Sequence, residues 1–171
     1  AGIRQLAEQY PYMDLDRVGI TGIEGCPNTV YGPLKHSDFY KVGVVLHPYD
    51  PRFTISMSCE TYDGTGDVQT LSTMTFPEDH VDAFNGKLLL ICGILTYATP
   101  AGPFRLIEAL QKASKSFEML CLPNLRYGFS SYTLRREWDY LVTHLQGIEP
   151  PKDFHLSTGR ELLESLRESK A

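Results

Sequence analysis

Apolar positions along the chain change period several times, and each change predicts an element. Ile3, Leu6, Ala7 and Tyr10 recur at helical spacing. Pro11, which has no backbone N–H to continue the ladder, ends that helix. "DRVGITG" (16–22) reads as a short strand and "YKVGVVLHP" (40–48) as a second, more apolar one. "GKLLLICG" (86–93) is a continuous apolar run bounded by glycines, the pattern of a strand buried on both faces of a parallel sheet. A helix is predicted from Ala101 to Ser114 with Phe104, Ile107 and Leu110 on one face, followed by a strand in "FEMLCLPN" (117–124). A further helix runs from Ser131 to Gln146, its stripe formed by Leu134, Trp138, Leu141, Val142 and Leu145. Gly147, Pro150 and Pro151 stop it, and Thr158 to Glu161 matches a capping box that opens a C-terminal helix within 157–171.

Residues 52–85 break this regularity. "RFTISMSCETYDG" alternates weakly, and the turn signal "DGTGD" closes a predicted hairpin with "VQTLSTMTF". Strands alternating with crossover helices otherwise describe one α/β domain over 1–171, with a mostly parallel sheet and a divergent insertion at 52–85. Length agrees, since 171 residues suffice for one sizeable core.

Charge and composition remove several function classes. The net charge of −5 is spread along the chain without a basic run, so the electrostatic footprint of a nucleic-acid binder is missing. No apolar segment approaches the roughly 18 residues of a membrane span, and "AGIRQLAEQY" lacks the pattern of a signal peptide, so the expectation is a cytoplasmic protein with no membrane partner. Cys26, Cys59, Cys92 and Cys121 show no C-x-x-C spacing, which argues against a zinc site or a redox pair. Cys92 and Cys121 lie in strand-like runs and are expected to be small buried hydrophobes. Asp79, His80 and Asp82 in "PEDHVD" match no zinc pattern and read as a polar loop or helix start, while Asp63 and Asp67 read as turn residues. No metal and no cofactor is expected.

With the elements in order, the segments "MDLDRVGITG", "DFYKVGV", "GKLLLICG", "RLIEALQKASKSFEMLCLPN" and "YGFSSYTLRREWDYLVTHLQGIEPP" together resemble the C-terminal part of the catalytic domain of the prolyl oligopeptidase family, particularly its dipeptidyl peptidase IV-like bacterial members. The resemblance spans most of residues 10–155 and is weakest over 52–85. It implies a truncated α/β-hydrolase fold, a three-layer sandwich with about the last four parallel strands of the sheet. It also implies a nucleophile elbow G-x-S-x-G, with the triad in the order Ser, Asp, His.

Each triad position holds another residue in this sequence. In "VGITGIEGCPNTVYG" the serine position is Glu24, between Gly22 and Cys26. The acid position, in "GILTYATP", is Thr96 with Tyr97 beside it, and the histidine position, in "PNLRYGF", is Tyr127. Glutamate attacking an acyl carbon would form an anhydride, and Thr96 with Tyr127 supplies no imidazole base oriented by a carboxylate. The resemblance therefore implies a pseudoenzyme with respect to serine-peptidase chemistry. Pro33 is expected to interrupt the helix after the elbow, which places the oxyanion donor at Gly25 in doubt.

Two function classes remain. The first is a degenerate domain that binds a small molecule, a peptide or a partner. The second is a repurposed isomerase, cyclase or lyase in which Glu24, with Tyr127 or His47, carries acid–base chemistry in the former pocket. Glu24 reads equally as a solvated turn residue and Tyr127 as an aromatic plug. His47 and Asp50 in "VLHPYDP" follow a strand's carboxyl end and would line the same site. Cys26 is a thiol nucleophile only if the elbow has shifted, with His36 or His47 as its base. The strand "RVGITG" would form an exposed edge, to be covered by the hairpin within 52–85, the N-terminal helix or a second subunit; because parallel sheets are normally buried on both faces, a homodimer is favoured.

Overall fold

A computed structural model describes residues 2–23, 27–48, 75–95, 101–123, 130–157 and 159. Four strands, β1 (Val18–Ile23), β2 (Tyr40–Leu46), β3 (Lys87–Gly93) and β4 (Glu118–Leu122), form one sheet in the order β1-β2-β3-β4. Every pairing is parallel, so each strand must be joined to the next by a crossover. Helices α1 (Gly2–Gln9), α2 (Pro27–Lys35), α3 (Ala101–Lys112) and α4 (Ser131–Leu141) accompany them, and α4 widens into a π turn over Val142–Gln146. No helix among the described residues is long and apolar enough to cross a membrane.

The pleat divides β2 and β3 between two cores. Leu88, Leu90 and Cys92 of β3 join Val45 of β2 beneath α2 and α3, where Leu34, Leu106 and Leu110 are buried. Val42, Val44 and Leu46 with Leu89 and Ile91 face the other way, against Tyr140 of α4. Apolar side chains thus fill both faces, which is why β3 reads as an unbroken hydrophobic run. Each fully buried Leu contributes about 1.5–3 kcal/mol. The α/β sandwich, the parallel sheet and the four strands are as the sequence predicts.

Three side-chain placements differ from the expectation. Phe104 is 53% exposed, and α3 instead buries Pro103, Leu106, Ile107 and Leu110. A spacing of three drifts around a helix of 3.6 residues per turn, so Phe104, Ile107 and Leu110 do not hold one face. On α4 the buried line is Thr133, Glu137 and Tyr140, with Leu141 and Leu145 beside the core, while Trp138 is 44% exposed. Cys121 is exposed, because β4 is an edge strand and its side toward Met119 is also open. Cys92, on interior strand β3, is buried as expected.

Pro33 also departs from its expected role. It sits inside α2, which continues to Lys35, and Pro27 takes the first position. The Pro33 ring is buried against β2 at Gly43, where an added Cβ would come within 2.5 Å of Pro33 Cγ. Packing of the ring onto this bare backbone offsets the hydrogen bond that proline cannot donate. The predicted hairpin at 52–76 lies outside the described residues apart from Thr75 and Phe76, which carry no regular structure. A 3-10 helix, Pro77–Ala83, follows. The predicted C-terminal helix lies almost wholly outside the described residues.

The chain beyond α4 is tied back onto it. Gly147 ends the helix in the left-handed region at φ 69°, which glycine adopts without a Cβ clash. Arg135 then donates to the carbonyls of both Pro151 and Phe154. Its guanidinium lies 5.3 Å from the centre of the Phe154 ring, and its Nε donates to Asp139 at 2.7 Å.

Candidate functional site

The carboxyl ends of β1, β2 and β3 lie side by side, with Ile23 paired to Leu46 and Leu46 to Ile91. In open parallel sheets this end collects ligand sites, because the loops leaving adjacent strands diverge there. Gly22 sets how closely α2 can approach it. A Cβ on Gly22 would lie 2.5 Å from Thr29 Oγ1, and Thr29 is itself only 4% exposed. A glycine on the strand and a small residue on the helix therefore let β1 and α2 approach closely.

His47 occupies the first position beyond β2. It is 4% exposed, its backbone N–H donates to Ile91 O at 2.7 Å, and its φ is 52°. A left-handed conformation is uncommon for a residue with a Cβ, and such positions concentrate where surrounding structure holds a side chain for function. The Gly93 N–H donates to His47 Nδ1 over 3.4 Å. That long contact assigns the acceptor role to Nδ1 and leaves the proton of a neutral ring on Nε2. A neutral imidazole held in this way donates from Nε2, and the tautomer that accepts there carries its proton on Nδ1 and gives up the Gly93 contact.

Of the residues named from the sequence for this site, His47 and His36 are described. Glu24, Gly25, Cys26, Asp50, Thr96, Tyr97 and Tyr127 lie outside the described residues. His36 is separated from His47, since it precedes β2 while His47 follows it. The polar residues of the 3-10 helix serve local structure: Asp79 Oδ2 accepts from the Phe76 N–H at 2.7 Å, and His80 Nε2 lies 3.0 Å from Thr75 Oγ1. Burial, and then the Lys35 charge, push the His80 ring below its usual range. Among the described residues no group of three or more His, Cys, Asp or Glu side chains could hold a metal ion.

A buried acid that the sequence reading missed lies across the sheet. Glu137 of α4 is 7% exposed, and its Oε1 accepts from Thr21 Oγ1 of β1 at 2.8 Å. Burial raises its carboxyl above the usual carboxylate range, and the Thr21 hydrogen bond partly opposes that rise. Glu137 is four residues after buried Thr133 and three before buried Tyr140, but a lone carboxylate in an amphipathic helix reads as its solvated face. The hydrogen bond from facing Thr21, far away in sequence, helps make burial tolerable.

The model of the prolyl oligopeptidase family matches residues 1–147. The chain belongs to that family. No curated protein sequence matches significantly. Among solved structures this family member is similar to Porphyromonas gingivalis dipeptidyl peptidase 4, with 24% identity and a TM-score of 0.69, over 82% of this chain and 21% of that one. It is similar as well to Pyrococcus horikoshii acylaminoacyl peptidase, with 19% identity and a TM-score of 0.65, over 89% of this chain and 28% of that one. A puromycin-hydrolyzing peptidase of Mycobacterium tuberculosis matches at 18% identity and a TM-score of 0.65, over 87% of this chain and 26% of that one. These likenesses carry the fold. The chain spans between 21% and 28% of the length of these three structures.

Proposed function

We propose that this member of the prolyl oligopeptidase family is a ligand-binding domain without serine-peptidase activity, taking a small molecule or a peptide at the carboxyl end of its sheet. The observation that carries the reading is the replacement of all three triad types: Glu24, Thr96 and Tyr127 stand where the family pattern has serine, aspartate and histidine. None of the three can be activated as a serine is by a carboxylate-oriented imidazole, so the acyl-transfer route has no nucleophile–base pair. The family's place for ligands at the strand ends is compatible with binding alone, because a fold supplies a location and particular residues supply chemistry.

Incubation with a fluorophosphonate serine-hydrolase probe and an aminoacyl-proline chromogenic substrate tests the first part. The expected result is no turnover and no labelling, beside an active family member as control. Stoichiometric labelling of one serine, or turnover that co-purifies with the chain, would overturn it.

His47 supports a second reading as an acid–base enzyme, because it is a buried imidazole at the carboxyl end of the sheet, and its Nε2 can accept a proton once the long 3.4 Å contact from Gly93 to Nδ1 is given up. Glu24 or Tyr127 would be its partner in an isomerisation, cyclisation or elimination. A pH–rate profile that loses its imidazole limb in His47→Gln, for a substrate turned over without hydrolysis, would favour this reading over binding alone.

A further inference from the structure

Two thiols far apart in sequence are direct neighbours across the sheet. Cys92 of β3 and Cys121 of β4 are paired in the parallel register, between the pairs Ile91↔Leu120 and Gly93↔Leu122. Residues paired in a parallel ladder project to the same face, and neighbouring strands lie about 4.8 Å apart. Disulfide-linked residues usually have Cα atoms about 4.4–6.8 Å apart, so the backbone spacing falls within the bridging range. The ladder holds beyond the pair as well, since the Ile94 N–H donates to Leu122 O at 3.1 Å. The absence of a C-x-x-C motif argues against a redox pair in the sequence, but here strand register does what sequence spacing does not.

The two thiols differ in access. Cys92 is 7% exposed within the core beneath α3, whereas Cys121 is exposed on an edge strand. This is the arrangement of an attacking thiol that solvent reaches and a second thiol shielded behind it. An edge strand can also shift by the fraction of an ångström that closing a bond requires, because among the described residues no further strand holds its outer side.

We propose that Cys92 and Cys121 form a reversible disulfide modification site across β3 and β4, written by a low-molecular-weight disulfide. The Cys121 thiolate attacks one sulfur of the small disulfide, breaking its S–S bond, releasing one small thiolate and leaving a mixed disulfide on Cys121. Cys92 then loses its proton to solvent and attacks Cys121 Sγ, expelling the second small thiolate as the protein disulfide forms. The protein gives up two electrons and two protons, and one small disulfide becomes two thiols.

Burial, and then the neighbouring Cys121, push the Cys92 thiol up to about 12. The second step is therefore slow at neutral pH and should accelerate about tenfold per pH unit between pH 7 and 9, as the thiolate fraction rises. The bond would lie one residue from Gly93, whose N–H reaches His47 Nδ1. Oxidation would thus stiffen the strand end that positions the candidate imidazole.

The test exposes the full chain to oxidised glutathione at graded ratios of oxidised to reduced form, followed by acid quench, alkylation, intact mass measurement and peptide mapping. The expected product has lost two hydrogens, carries a Cys92–Cys121 cross-linked peptide pair and retains no glutathione on Cys121. Cys92→Ala should trap glutathione on Cys121, and Cys121→Ser, a surface change that leaves the core intact, should abolish both adduct and cross-link. A glutathione adduct that persists on Cys121 in the unaltered chain, a cross-link to Cys26 or Cys59 instead, or an unreactive Cys121 would each overturn the proposal.

Discussion

Glu137 shows how one residue can be read wrongly from sequence and still make a sharp prediction. Its carboxyl is held above its usual range by burial, so the folded state favours the protonated form. The stability it contributes is complete below the unfolded carboxyl's range and is lost as pH rises through the higher folded value. Glu137→Gln keeps an acceptor for Thr21 and removes the ionisation. The variant should melt about 2–4 °C higher than the parent at pH 8, for a change near 1 kcal/mol in a chain of this size, and the gap should shrink toward pH 4. Scanning calorimetry at several pH values checks this, and a pH-independent difference would refute the assignment. His47 was legible as a residue beyond a strand end, because "VVLHP" breaks an apolar run. Its left-handed backbone and the Gly93 contact were not, since both depend on where β3 lies.

At the scale of elements, the close approach of α2 to β1 rests on the contact between Gly22 and Thr29. Gly22→Ala introduces a Cβ 2.5 Å from Thr29 Oγ1 and should destabilise the fold by about 1–3 kcal/mol through overpacking. Thr29→Ala removes the two nearest atoms and leaves a contact of 3.4 Å, so the Gly22→Ala penalty should fall sharply in that background. Denaturant titrations of the four chains measure the coupling, and strictly additive effects would refute a direct Gly22–Thr29 contact. Strands and helix positions were legible because apolar runs and helical spacing are local signals. The faces of α3 and α4 were less so: Phe104 and Trp138 are apolar, yet which side meets the sheet depends on how the whole helix docks. Pro33 was misread for the same reason, since the compensating partner is Gly43 on another strand.

At the scale of the molecule, the strand order β1-β2-β3-β4 leaves β1 at one edge and β4 at the other. We propose that a second copy covers the β1 edge, because an unpaired edge presents a row of hydrogen-bonding groups that other strands can use. Light scattering of the chain at micromolar concentration should then give a mass near twice 19.3 kDa, whereas a monomer mass would remove the proposal. Parallel order was legible from alternating strands and helices, and family membership from several segments in sequence order. The assignment of Glu24, Thr96 and Tyr127 to the triad positions remains what the resemblance implies, and the fluorophosphonate experiment tests it.

Arg135 adds a different kind of constraint to the part of the chain beyond the family match. Its guanidinium grips the main-chain carbonyls of Pro151 and Phe154, with one ring stacked nearby. A grip on carbonyl oxygens reads the path of the backbone and is nearly blind to the side chains along it. The stretch from Glu149 to His155 can therefore drift in sequence while keeping its course, whereas the information that fixes that course is stored in a single arginine on another element.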